Sequence, residues 1–155
     1  MSRKMSTTKM VLGGALVAGA FGMFGGVAAA SPNDYRAGMK DLVPQANQWV
    51  ADVTMTADAA LTKPELGCGA EMAELVLRGE SIAADLAGTG LNAPRALGTA
   101  HGQMTQSVAR MTDAARAACA SPSGAVGMIA GEKAGYTASM VRINVFVTRA
   151  YASGR

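Results

Sequence analysis

Apolar residues recur along this chain at helical spacing in four separate stretches. Tyr35, Met39, Leu42, Ala46, Trp49, Val53 and Ala60 line one side of a first helix, and Val43 and Val50 widen the stripe. Pro44 is tolerated in a first turn beginning at Asp41 but bends a helix that begins near Asp34, so a bend is expected at residues 40–44. Pro64, Gly67 and Gly69 make residues 62–69 a connector with one short turn around Glu65. Met72, Leu75, Gly79, Ile82 and Leu86 form the second stripe. Glu74 and Arg78 are spaced to pair across one turn, and Gly88 and Gly90 mark the stop.

Asn92 is the expected cap of a third helix, with Pro94 in its first turn. Its seam runs through Leu97, His101, Met104, Val108, Met111, Ala115 and Ala118 and ends at Ala120. Ser121 and Pro122 then supply a cap and first-turn pair for a fourth helix, with Ile129, Tyr136, Met140, Ile143, Val147 and Ala150 as its stripe. Val141, Ile143, Val145 and Val147 also alternate in the manner of a strand, but no second strand exists for them to pair with, so helix is preferred for residues 140–149. The pattern predicts an all-α, up-down-up-down four-helix bundle. Its length fits one domain, residues 31–155, preceded by an N-terminal signal segment.

That segment is residues 1–30. Arg3, Lys4 and Lys9 form a basic start, residues 10–26 carry no charge, and Ala28, Ala29 and Ala30 give a small-residue cleavage pattern. Cleavage after Ala30 and a secreted or periplasmic destination are expected. The alternative is an uncleaved leader anchoring the chain in a membrane, since the uncharged run approaches the roughly twenty residues of a spanning helix. Its Gly- and Ala-rich composition favours cleavage.

Removing the leader changes the charge picture. It carries three of the fourteen basic residues, so the remainder has eleven basic and eleven acidic groups. The basic balance of the whole chain therefore belongs to targeting, and nucleic acid is not an expected partner. Nine acids fall in residues 31–90 and seven bases in residues 91–155. Solvated faces of an acidic and a basic helix pair account for that division.

In an alternating bundle the connector after the first helix and the end of the third lie at the same end. Cys68 and Cys119, the only cysteines, occupy those places, and an exported chain meets an oxidising compartment, so a Cys68–Cys119 disulfide is expected.

The search for chemistry finds little. GxSxG, HExxH, EF-hand, CxxC and CxxCH patterns are absent, and Glu71 and Glu74 sit on an outward helix face beside Arg78. No catalytic activity is expected, and no metal site. The single His, His101, lies on the third seam, and counting from the shared helix ends brings Gly79, Met140 and Met39 to a similar height, with Gly79 leaving room. A bundle core with a His and a thioether resembles the architecture of the periplasmic b-type cytochromes, four-helix bundles that hold haem between a His and a Met. That family's ligands come from its terminal helices, whereas His101 is on the third. Haem or soft-metal binding through His101 and Met140 or Met39 is the alternative function. If His101 only packs, His101→Phe should leave binding unchanged and stabilise the seam.

Gly127, Gly131 and Gly135, continued by Ser139, recur every fourth residue on the fourth helix. Such a strip allows close helix approach, inside the fold or across a homodimer face. Together these features predict an exported small helical binding or interaction protein without catalysis or cofactor. Its partner would be a protein or small molecule in the cell envelope or outside the cell.

Overall fold

Ser31 starts the first helix. Its hydroxyl accepts from the Asp34 N–H at 3.2 Å while the Asp34 carboxylate accepts from the Ser31 N–H at 3.3 Å, a reciprocal box that satisfies two end donors. The computed structural model describes residues 31–152, so the leader and its expected cleavage at Ala30 lie outside the described residues. Helix α1 spans Pro32–Ala60 and includes Pro44 without interruption. With Ser31 and Pro32 supplying the start, Pro44 lies in the helix interior rather than in a first turn.

After α1 come the one-turn α2 (Pro64–Gly67), the long α3 (Ala70–Gly90), a 3-10 turn (Arg95–Leu97), α4 (Gly98–Ala117) and α5 (Pro122–Ala152). Two boundaries differ from expectation. Pro94 is extended, with ψ 141°, and the chain enters α4 through the 3-10 turn, so Asn92 does not cap the third long helix. That helix stops at Ala117 rather than Ala120. No strand occurs among the described residues, and residues 140–149 belong to α5. Tertiary burial of Ile143 and Val147 outweighs the local β preference of the branched residues. Among the described residues no helix is long and apolar enough to cross a membrane.

The four long helices form a closed ring of neighbours. Contact is most extensive between α4 and α5, then between α3 and α4, α1 and α3, and α1 and α5, while α1 and α4 meet only slightly across the middle. The core follows the sequence stripes closely. Every residue of the first and second stripes is buried, as are His101, Met104, Val108, Met111, Ala115 and Ala118 of the third. Of the fourth stripe, Ile129, Tyr136, Ile143 and Val147 are buried and Met140 is half-buried.

Trp49 is the centre of this core. It is fully buried, donates its indole N–H to the Leu75 carbonyl at 2.7 Å, and lies over Gly79. A Cβ at Gly79 would fall 2.6 Å from Trp49 Cζ2 and 2.3 Å from Thr112 Oγ1, so glycine here is what allows α3 to close on α1 and α4. Burial of each large apolar side chain contributes roughly 1.5–3 kcal/mol. Salt bridges cross between helices at the surface. Arg78 pairs with Asp52 of α1 rather than with Glu74 of its own helix, because α3 packs directly on α1 and brings that carboxylate to 3.2 Å.

Candidate functional site

His101 occupies a polar cluster at one end of the bundle to which all four long helices contribute. From the N-terminal turns of α1 comes Tyr35, whose hydroxyl lies 3.0 Å from His101 Nδ1. From the C-terminal part of α3 comes the Leu86 carbonyl, 2.7 Å from Nε2. A carbonyl only accepts, so Nε2 carries a proton and donates to Leu86, while Nδ1 is paired with the Tyr35 hydroxyl. Burial pushes the Tyr35 phenol up to about 12, which keeps it protonated as the donor.

The surroundings are closed. The Tyr35 and His101 rings meet edge-on at 5.5 Å, Phe146 of α5 lies 6.2 Å from Tyr35, and Arg36 covers Phe146 with its guanidinium 4.4 Å above the ring. His101 is 4 % exposed. It therefore does more than pack: both ring nitrogens have protein partners, and ligation by either would require one of those bonds to break.

Gly79 does not open beside His101; its space is filled by Trp49 and Thr112. The glycine that makes room for His101 is Gly90, where a Cβ would fall 2.6 Å from Nε2. Met39 is fully buried on α1 and Met140 half-buried on α5. Among the described residues there is no group of three or more His, Cys, Asp or Glu side chains placed to hold a metal. The sequence places Tyr35 on the first stripe and Gly90 at a helix stop but does not link either to His101, because a hydrogen-bond partner on another helix depends on packing, whereas stripe membership depends only on spacing.

The α5 glycine strip divides. Gly135 faces Gln103 of α4, where a Cβ would lie 3.0 Å from Nε2, and Ser139 is buried, so this half packs within the fold. Gly127 and Gly131 face open space. Between α4 and α5, Glu132 accepts from Ser107 and from Arg110, each at 3.0 Å. The Arg110 hydrogen bond above all holds its carboxyl below the ordinary range.

Cys68 and Cys119 form the expected disulfide, with Cα atoms 4.5 Å apart and 51 residues of separation. Both half-cystines are exposed. The bond joins the α2–α3 junction to the end of α4.

The seam between α1 and α5 carries a groove of about 690 Å³. Ala57, Ala130, Ala134 and Ala138 lie along it with Ile129 and Val141, and charge is confined to Asp58 from α1 and Lys133 from α5. Ala130, Ala134 and Ala138 repeat every fourth residue and are all exposed, giving a shallow, apolar, backbone-close surface. The alanine spacing was visible in the sequence, but only the arrangement of α1 beside α5 makes it a concave surface. It presents apolar contact along its length and one charge of each sign on its two sides. No family model, curated protein or solved structure matches this chain.

Proposed function

We propose that this is an exported helical binding protein, acting without catalysis, whose α1–α5 groove takes the apolar face of a partner helix. The observation that carries the reading is the groove itself. Small residues every fourth position along α5 let a second helix approach the backbone closely, and Asp58 and Lys133 on opposite sides offer one charge of each sign to fix its direction. Val141, 51 % exposed at the groove, and Met128, 50 % exposed on the same helix, extend the apolar surface on α5.

Export is supported by the basic start and uncharged run of residues 1–30 and by an exposed disulfide suited to an oxidising compartment. Cleavage after Ala30 would leave Ser31, the α1 cap, intact. The up-down-up-down order is supported by residues from the start of α1, the end of α3, the start of α4 and the later part of α5 meeting around His101. The groove is preferred over haem binding at His101 because it is already open, whereas His101 is enclosed with both nitrogens bonded. The second half of the homodimer reading rests on Gly127 and Gly131, whose open faces leave room for another copy.

A direct test uses a synthetic amphipathic helical peptide with a Leu-rich face flanked by one Lys and one Asp, titrated into the protein and followed by fluorescence anisotropy. Saturable binding that Ala134→Trp removes while far-ultraviolet circular dichroism stays unchanged is the expected result. Binding indifferent to Ala134→Trp and Ala138→Trp would sink the groove assignment. Light scattering on the free protein separates a partner helix from a second copy.

A further inference from the structure

The α1–α5 groove has a complementary shape beside it on the same helix. Gly127, Gly131, Ala134, Ala138, Val141 and Val145 are exposed on adjoining turns along one side of α5, and a Cβ at Gly127 or Gly131 would meet nothing within 4 Å. A ridge built from glycine and alanine is thin, and the groove next to it is shallow. Across residues 122–141 the exposed positions of α5 carry one charged side chain, Lys133, a depletion of charge that suits the centre of an interface.

The two charges of the groove lack partners. Arg78, Arg110 and Arg116 each pair with carboxylates elsewhere on the surface, but among the described residues neither Asp58 nor Lys133 takes part in an ion pair. They stand on opposite sides, Asp58 on α1 and Lys133 on α5. A two-fold axis running along the groove keeps every residue at its own height and exchanges the α1 side with the α5 side. Asp58 then faces Lys133 of a second copy, and Lys133 faces the second copy's Asp58. The same operation sets each α5 ridge into the other copy's groove, and Ala130, Ala134 and Ala138, small at every fourth position, let the two backbones approach closely. An axis across the groove would instead lay α5 on α5 and α1 on α1, leaving each charge without its opposite.

We propose that the occupant of this groove is α5 of a second copy of the chain, in a two-fold dimer whose axis follows the α1–α5 seam. The assignment rests on the groove being a helix-binding surface and names what fills it. Residues 126–145 extend about 30 Å, and two adjacent helices are about 20 Å wide, so the footprint is roughly 600 Å² per copy. That is somewhat below the roughly 800 Å² per partner of a standard stable interface, which places the association in the micromolar range.

Sedimentation equilibrium of the oxidised protein from about 10 µM to about 1 mM covers that range. The mass should rise from monomer to dimer. Asp58→Lys and Lys133→Asp should each weaken dimerisation by about ten-fold, because the symmetry counts every change twice. An equimolar mixture of these two variants should recover the wild-type affinity as a heterodimer, in which both charge pairs are restored. Gly131→Leu thickens the ridge without touching the groove lining, so it should prevent dimerisation and leave binding of the Leu-rich helical peptide unchanged. Circular dichroism checks that each variant is folded. Monomer mass throughout, a dimer indifferent to the charge variants, or a mixture no tighter than either variant alone would each overturn the proposal. If the peptide still binds in a way that Ala134→Trp removes, only the second copy is struck as occupant; if neither peptide nor second copy binds, the groove reading falls with it.

Discussion

His101 and Tyr35 show how a polar pair can sit in an apolar seam. Each satisfies the other, and the Leu86 carbonyl takes the remaining imidazole proton. His101→Phe therefore strands the Tyr35 hydroxyl in the core and should cost about 1–3 kcal/mol, reversing the stabilisation expected of a merely packed histidine. Tyr35→Phe strands His101 Nδ1 and should cost a similar amount. The double variant should lose clearly less than the two together, since no orphan remains between them. Urea denaturation of the four proteins measures this coupling, and strictly additive losses would show that the bond contributes nothing specific. Gly79 poses the opposite problem, one of volume. Alanine is the better helix former by about 1 kcal/mol, yet its Cβ would collide with buried Trp49 and with Thr112, whose hydroxyl is already bonded to the Val108 carbonyl. Overpacking of about 1–3 kcal/mol outweighs the propensity gain, so Gly79→Ala should lower the urea midpoint, with a shift in tryptophan emission as Trp49 is displaced.

Among whole helices, α5 offers an internal comparison because its glycines have different neighbours. Gly127→Ala and Gly131→Ala add a methyl group to open space and should each raise stability by about 0.5–1 kcal/mol. Gly135→Ala should gain less or lose, because Gln103 stands in the way. Equal gains at all three positions, measured by chemical denaturation, would mean that α4 does not approach α5 as closely as described. The same helices show what a sequence can and cannot disclose. The stripes from Tyr35 to Ala60, Met72 to Leu86 and His101 to Ala118 were legible because burial repeats with the helical turn, whatever helix lies opposite. The disulfide was legible because two cysteines in a predicted alternating bundle leave one pairing. The start of α4 was not, since an X-Pro step is compatible with a first turn or with extended backbone, and Pro94 takes the extended form. The partner of Arg78 and the neighbours of Gly79, Gly90 and His101 were equally hidden. They depend on helix rotation and height, which spacing leaves free. The α1–α5 groove combines both cases, its alanine repeat visible in the chain and its concavity a product of packing.

At the scale of the molecule, long-range hydrogen bonds tie α1 to the helices around it, through Tyr35 to α4 and through Tyr136, which donates to Asn47 at 2.7 Å, to α5. Both phenols are buried, and burial raises both above the ordinary value of about 10, Tyr35 to about 12 and Tyr136 further. The folded chain therefore holds these protons more tightly than the unfolded chain does. By linkage their contribution to stability is fully present below pH 10 and is lost as pH rises from about 10 through 12. Glu132 works in the other direction, its lowered value giving stability above the ordinary carboxyl range that is lost as pH falls through the folded value. On the alkaline side, the ionised forms of Tyr35 and Tyr136 should appear only as the bundle opens, because each phenolate oxygen would be left buried against the group that accepted its proton, His101 Nδ1 or Asn47 Oδ1. With Tyr151→Phe removing the remaining phenol of the three, tyrosinate absorbance and helical circular dichroism should change together in one transition above pH 10. Tyr136→Phe should shift that transition upward in pH relative to the protein that retains it, since one of the two protons driving the opening is gone. Full tyrosinate absorbance near pH 10 with the helical signal intact would place both side chains in contact with solvent and would dissolve the α1 ties on which this account of the bundle depends.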